Sequence, residues 1–233
     1  MNEHKVAAIV PAAGLGKRFG NDRNKSFYEL SGKPLIVWAL EALQDIEEIT
    51  EIIPVLKEED LSSGVELIEG YNIHKVKRIV TGGKERQDSV YNGLKALDDD
   101  TFAVVIHDGA RPLVERVVIK RTINELKGFD GAVAGVPVKD TIKEAWIQAA
   151  DIVVQKTLDR NILWAVQTPQ TFHFQKIRDA HEMAHSEGHY ATDDAALIER
   201  YGGKIKIIEG SYRNIKITTP EDIHIAEALI KNL

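Results

Sequence analysis

At 233 residues and 26.0 kDa the chain is long enough for one substantial α/β domain with a well-buried core. A composition that is 43% apolar and 28% charged is that of a soluble globular protein, and a net charge of −6 argues against a general nucleic-acid surface while leaving room for a local anion site. The absence of cysteine removes disulfides, thiol nucleophiles and Cys-based zinc sites; no apolar run reaches the roughly 20 residues that span a bilayer, and a glycine loop comes too soon for a secretory leader, so a cytoplasmic protein free of membrane is expected.

In chain order, "KVAAIVP" reads as a buried strand, and "PLIVWALEAL" (34–43) as a helix with proline in its first turn. "EIIPVL" is the next strand, with Pro54 working against pairing in its interior. "VKRIVTGG" ends a strand at two glycines, "RQDSVYNGLKAL" is a helix, and "TFAVVIHDGARP" is a strand running into a tight loop. A helix in "VERVVIKRTINELKG" closes at Gly128, and "GAVAGVPV" is another strand. From 138 to 168 the rhythm breaks into β-rich pieces, read as a hairpin arm leaving the domain; an isolated two-stranded ribbon is marginal in water, so such an arm tends to dock on a second subunit. Helices over 174–186 and 193–201, strands "KIKIIEG" and "NIKIT", and a last helix opened by Thr219 and Pro220 complete the chain. Alternating strand and helix units predict an α/β fold with a doubly wound, mostly parallel, Rossmann-like sheet, in a single domain over 1–233. With the chain ending at Leu233, no second catalytic domain is expected.

Ligands of open parallel sheets bind at the carboxyl ends of the strands, and the polar motifs gather there. "PAAGLGKRFG" fits neither familiar phosphate loop: a dinucleotide fingerprint from Gly14 needs glycine where Phe19 stands, and a Walker loop needs glycine at Pro11 and a hydroxyl at Arg18. Ala12, Ala13, Gly14 and Gly16 nevertheless allow backbone amides close to a phosphate chain, with Lys17, Arg18 and Lys25 adding charge. Lys17 and Arg23 also read as a solvated surface pair. Asp108, between an apolar strand and "GARP", needs a cation or hydrogen bonds; magnesium beside a nucleotide triphosphate, a helix cap or an ion pair with Arg111 would each supply them. His107 reads as a hydrogen-bonded core histidine.

"HEMAH" (181–185) matches the zinc-protease helix motif, with His181 and His185 on one face. No third ligand stands out, since the extended motif needs histidine where Ala191 sits; both histidines are read as helix-surface residues.

Taken together, "PAAGLGKRF", "NKSFYEL", "VTGGKERQDSV", "HDGARP", "PVKDTI", "TLDRNILWAVQTPQ", "TDDA" and "NIKITTPED" stand in the order and spacing of one family. The chain resembles the 2-C-methyl-D-erythritol 4-phosphate cytidylyltransferases, CTP-using enzymes of the non-mevalonate isoprenoid pathway, over almost its whole length. The resemblance implies a CTP site formed by Ala12, Ala13, Gly14, Gly16, Gly83 and Ser89, with Arg18 and Lys25 on the triphosphate and Asp108 beside Mg2+. It implies a homodimer whose exchanged arm brings Thr141 and Arg160 to the partner's active site. Thr168, Thr192 and Lys216 then complete a polyol-phosphate pocket, and Arg18, Lys25, Arg160 and Lys216 carry the catalysis. Asn24 stands before Lys25 where some members have proline. The competing readings are a ribitol-5-phosphate cytidylyltransferase, a catalytically silent nucleotide-binding module and a zinc hydrolase.

Overall fold

The computed structural model describes residues 5–14 and 24–231; Gly16, Lys17, Arg18 and Arg23 lie outside them. In chain order the elements are β1 (Val6–Pro11), β2 (Glu29–Leu30), β3 (Lys33–Pro34), α1 (Leu35–Gln44), β4 (Ile49–Leu56), α2 (Leu61–Gly70), β5 (Val80–Thr81), α3 (Arg86–Lys95) and β6 (Ala103–Ile106). The second half holds α4 (Arg116–Asn124), β7 (Gly131–Pro137), β8 (Lys143–Gln148), β9 (Asp151–Thr157), β10 (Trp164–His173), α5 (Phe174–Glu187), α6 (Asp194–Arg200), β11 (Ile205–Glu209) and α7 (Pro220–Ile230).

Among the described residues seven strands form the central sheet, in the order β11-β7-β10-β6-β1-β4-β5. All neighbours are parallel except β10, which runs antiparallel between β6 and β7. Successive side chains of a strand point to opposite faces, and β1 shows the result. Ala8 and Val10 join a core with Ile36, Leu40 and Ile119, whereas Ala7 and Ile9 join one with Val90, Leu94 and Ile177. Helices α1 and α4 therefore cover one face, and α3 and α5 the other. This is the doubly wound, mostly parallel sheet expected from the sequence.

Three details depart from the sequence reading. Helix α2 was not anticipated. "NIKIT" is no strand; it is an extended segment whose Ile217 N–H donates to the Ala110 carbonyl at 2.8 Å. Third, the chain re-enters the sheet through β10 directly after the arm. Within 138–168 the hairpin proper is β8 paired with β9, and among the described residues these two strands pair only with each other. Its side chains are largely bare: Trp146 is 56% exposed, Ile147 81% and Ile152 77%.

The interruption in β10 carries polar side chains into the interior. Its register against β7 jumps between Val166 and Gln170, across Pro169. Proline has no N–H for the ladder, and a bulge at such a point re-aims the neighbouring side chains. Gln167 and Thr168 turn inward there and are buried.

Candidate active site

The carboxyl ends of β1, β4, β5 and β6 open onto a cleft of about 690 Å3. The loop after β1 contributes Ala12, Ala13 and Gly14; the turn after β4, Lys57 and Glu59; the loop after β5, Gly83 to Arg86; and the end of β6, Asp108. Lys25 and Lys216 reach the same cleft from far apart in the chain. Lys25, Lys57, Lys84, Arg86 and Lys216 outnumber Glu59, Glu85 and Asp108 on its walls. An acidic protein thus carries a cationic cleft, the local field that attracts a polyanion.

Lys25 sits on a single 3-10 turn, Lys25–Phe27, whose cap is Asn24. The buried Asn24 side chain donates to the Ala12 carbonyl and to Asp60 Oδ2, both at 2.7 Å, and accepts from Ser26 N–H at 3.1 Å. These hydrogen bonds hold the turn. Lys25 Nζ donates to the Ile217 carbonyl at 3.2 Å, joining the turn to the segment that carries Lys216.

That segment is pinned from several sides. Asn214 is buried and donates to the Thr168 carbonyl at 2.8 Å, while its own carbonyl accepts from Arg111 Nη1 at 2.7 Å. Asp222, in the first turn of α7, accepts the N–H groups of Thr218 and Thr219 at 2.7 and 2.9 Å. Lys216 Nζ arrives 2.7 Å from Asp108 Oδ2.

Asp108 is buried and fully engaged. Its Oδ1 accepts from Arg86 Nε at 2.9 Å, and its N–H donates to Thr168 Oγ1 at 3.0 Å. Burial by itself raises a carboxyl pKa, but Arg86 and Lys216 outweigh it and hold Asp108 well below its ordinary value. The ion pair with Arg111 considered from sequence is not formed; Arg86 takes that place. His107 is buried as expected, with Thr168 Oγ1 at 3.1 Å from Nδ1 and the Arg111 carbonyl at 3.1 Å from Nε2. Burial pushes its pKa down to about 4, so the ring is neutral near pH 7.

Of the residues singled out in the sequence, Ala12, Ala13, Gly14, Lys25, Gly83, Ser89, Asp108 and Lys216 line one cleft. The Ala12 N–H donates to the Val55 carbonyl at 2.8 Å and the Gly83 N–H to Ser89 Oγ at 3.2 Å, so these amides serve the shape of their loops. Thr168 is buried behind Asp108. Thr192 is exposed beside Ala191, which with Tyr190 lines an adjoining hollow of about 360 Å3 that shares Lys84, Glu85 and Arg86 with the main cleft. Gln87 clamps this stretch to α3, donating to the His189 carbonyl at 2.8 Å and accepting from Ala191 N–H at 2.9 Å. Thr141 and Arg160 are exposed at the root of the arm and are not among the cleft's lining; Arg160 Nη1 donates to the Lys139 carbonyl at 2.8 Å. Gly16 and Arg18 lie outside the described residues.

Sequence reasoning missed Arg86 and Asp194. Asp194 is buried and takes Arg86 Nη1 at 2.7 Å on Oδ2. It also corrects the reading of "HEMAH": His185 is exposed, but His181 is buried, with Nε2 3.1 Å from Asp194 Oδ1. Among the described residues no three His, Asp or Glu side chains gather into a metal-holding group.

Gly82 keeps two loops of the cleft in contact. A Cβ at that position would stand against Ala13 Cβ and 2.9 Å from Ser89 Oγ. Gly82→Ala is expected to cost about 1–3 kcal/mol as an overpacking change, lowering the thermal midpoint and raising KM for the nucleotide together. An unchanged nucleotide KM in a scanning-calorimetry and kinetics comparison would show that this contact does not shape the cleft.

The family model described as 2-C-methyl-D-erythritol 4-phosphate cytidylyltransferase matches residues 6–232. Proteins of that name from Geotalea uraniireducens and Geobacillus kaustophilus are 44% and 48% identical, with 98% and 96% of each chain aligned respectively. Among solved structures, 4-diphosphocytidyl-2C-methyl-D-erythritol synthase from Anaerococcus prevotii superposes with a TM-score of 0.87 at 32% identity, covering 99% of this chain and 97% of that one. The Thermus thermophilus 2-C-methyl-D-erythritol 4-phosphate cytidylyltransferase gives 0.78 at 30% identity, covering 97% and 99%.

Proposed function

The chain belongs to the 2-C-methyl-D-erythritol 4-phosphate cytidylyltransferase family, and from that premise we propose how its own residues carry the reaction. The enzyme is a nucleotidyltransferase of isoprenoid biosynthesis that moves CMP from CTP to the phosphate of 2-C-methyl-D-erythritol 4-phosphate. The observation that carries the residue assignments is the convergence of Lys25 and Lys216 on Asp108's cleft.

The attacking group is a phosphate monoester with a second pKa of about 6, so it is largely dianionic at neutral pH and needs no general base. A buried, neutral His107 with both ring nitrogens engaged is in keeping with this. One oxygen of the dianion attacks the α-phosphorus of CTP in line; the bond from that phosphorus to the β-phosphate oxygen breaks, and pyrophosphate leaves with the electron pair. The protein has to bring two anions together and stabilise the charge that builds on the transferred group. Arg18 and Lys25 serve the triphosphate, with the small residues Ala12, Ala13, Gly14 and Gly16 admitting it and Gly83 and Ser89 bordering the nucleoside. Lys216, Thr192 and Thr168 serve or support the polyol phosphate, joined by Thr141 and Arg160 of a second subunit.

Magnesium commonly binds through one or two carboxylates together with substrate phosphates. Asp108 fits that role: its Oδ1 is fixed by Arg86, while Oδ2 is held by Lys216, a side chain 38% exposed and therefore able to exchange toward phosphate. A cation held there supplies charge neutralisation for the triphosphate. Lys216 then passes from Asp108 to the anion that enters.

We further assign residues 1–233 to one nucleotidyltransferase domain and 138–168 to an inserted arm, working as a homodimer in the cytoplasm. The ribbon, which bares Trp146, Ile147 and Ile152 and among the described residues pairs only with itself, supports the dimer, as does the position of Arg160 at its root rather than in its own chain's cleft lining. No helix of the described residues is long and apolar enough to cross a membrane.

Pyrophosphate release measured with CTP and either 2-C-methyl-D-erythritol 4-phosphate or ribitol 5-phosphate tests the function. A large preference for the methylerythritol substrate is expected. A preference for ribitol phosphate, or CTP binding without turnover, would overturn it.

A further inference from the structure

We propose that Arg86 is a positioning residue for cytidylyl transfer: anchored by Asp194 and His181, it fixes one oxygen of Asp108, leaving the oxygen beside Lys216 as the exchangeable one. The proposal rests on the reading of Asp108 as the carboxylate beside the triphosphate, and goes beyond it by assigning work to three residues outside the expected site.

The geometry is a buried relay. His181, on α5, meets Asp194 Oδ1 at 3.1 Å; Asp194, at the start of α6, takes Arg86 Nη1 on Oδ2 at 2.7 Å; Arg86, at the start of α3, gives Nε to Asp108 Oδ1 at 2.9 Å. His181 and Asp194 are each 1% exposed and Asp108 6%. Tyr91 stacks on His181 with ring planes 8° apart and centroids at 6.2 Å. Two buried carboxylates around a single guanidinium are tolerable only while that guanidinium stays between them.

The consequence is a division of labour between two cations. Arg86 presents a planar fork with two of its nitrogens committed, and a guanidinium so clamped cannot follow an incoming phosphate. Lys216 is a point charge on a flexible stem, held at one contact on Asp108. When Lys216 moves to phosphate, the cluster of Arg86, Asp108 and Asp194 is left with one net negative charge in a fixed place, suited to a divalent cation. Without Asp194 the guanidinium gains freedom to lean toward the triphosphate, and Asp108 loses its fixed orientation. The "HEMAH" helix thus contributes a histidine that orients a carboxylate.

Arg86→Leu strands two buried carboxylates and risks failing to fold, so the test uses Asp194→Asn and Arg86→Lys, alone and combined with Asp108→Asn. Two readouts are taken: calorimetric affinity for CTP with Mn2+, with no polyol phosphate present, and kcat and KM in the full reaction. Loss of an outer partner of a metal-binding group typically costs about 10- to 100-fold; Asp194→Asn and Arg86→Lys are expected to weaken Mn2+-CTP binding and to lower kcat within that range. KM for the polyol phosphate stays within about twofold, because the relay faces Asp108 and acts only through it. In the Asp108→Asn background the same substitutions add less than about threefold, since residues acting through one group are not additive. Unchanged Mn2+-CTP affinity, or losses that multiply in full on Asp108→Asn, would overturn the positioning role and leave a structural one. A wild-type protein that binds Mn2+-CTP but releases no pyrophosphate would overturn the functional reading, while the binding cycle still decides the role of Arg86.

Discussion

Lys25→Ala is expected to lower kcat by about 10²- to 10³-fold, the usual cost of deleting one group that stabilises transition-state charge. The structure separates that loss from any loss of fold. The turn carrying Lys25 is held by Asn24, whose side chain makes three hydrogen bonds to Ala12, Asp60 and Ser26. Among the contacts of Lys25 itself is the bond to the Ile217 carbonyl. A hydrogen bond from a charged donor contributes about 1.5–3 kcal/mol at most, and for a domain of this size each 1 kcal/mol shifts the thermal midpoint by about 2–4 °C. Stopped-time pyrophosphate assays beside thermal denaturation measure both. Near-normal turnover would remove Lys25 from the chemistry, and a collapse of the midpoint by tens of degrees would reassign it to structure. Arg18→Ala is expected to behave similarly.

Arg160→Ala is expected to raise KM for the polyol phosphate by about 10- to 100-fold, the loss of a charged hydrogen bond to the substrate, with little change in KM for CTP. Its placement at the arm root makes a sharper test available. If each site combines one subunit's cleft with its partner's arm, a mixed dimer of Lys25→Ala and Arg160→Ala chains has one doubly damaged site and one intact site. At a polyol-phosphate concentration well below the raised KM, an equal mixture of the two impaired proteins, after subunit exchange, should recover about one quarter of wild-type activity in a two-fold dimer. Mixed dimers verified by mass that show no recovery would place Arg160 in the service of its own chain.

The sheet was legible because its strands are apolar on both faces and its loops carry glycine and charge. Helix α2 was not, for a physical reason. Its run "LSSGVELIEG" holds glycine and serines that weaken helix propensity, yet Gly64 is what lets it pack: a Cβ there would stand against Leu56 Cδ1. "NIKIT" has the alternation of a strand, but its two sorts of side chain serve the site and the core instead. Asn214 and Lys216 turn to Thr168 and Asp108, and Ile217 joins Leu30 and Leu35 in a small cluster. β10 was obscured by Pro169, which breaks the pattern at the point where the bulge is useful.

The site divides in the same way. Residues next to glycine loops at strand ends could be found from local pattern, and most of them line the cleft. In "TGGKERQDS" nothing local distinguishes Arg86, which turns inward, from Lys84 and Glu85, which remain exposed. In "TDDA", Asp193 caps α6 through a bond from Ala196 N–H at 3.0 Å, and the next residue, Asp194, is the buried partner of Arg86. Which of two adjacent acids is buried depends on the phase of α6 against α3 and α5, a property of tertiary packing.

The ties that close the cleft join remote parts of the chain: Lys25 to Ile217 across 192 positions, Arg86 to Asp194 across 108, and Arg111 to Asn214 across 103. Each such closure costs loop entropy that only the surrounding sheet can offset, and contacts so distant in sequence form slowly. The cleft therefore has no local precursor in the folding chain. A partly folded first half would hold the glycine loops and Asp108 but neither Lys216 nor Asp194, so binding competence would arise together with the complete sheet and be lost with it.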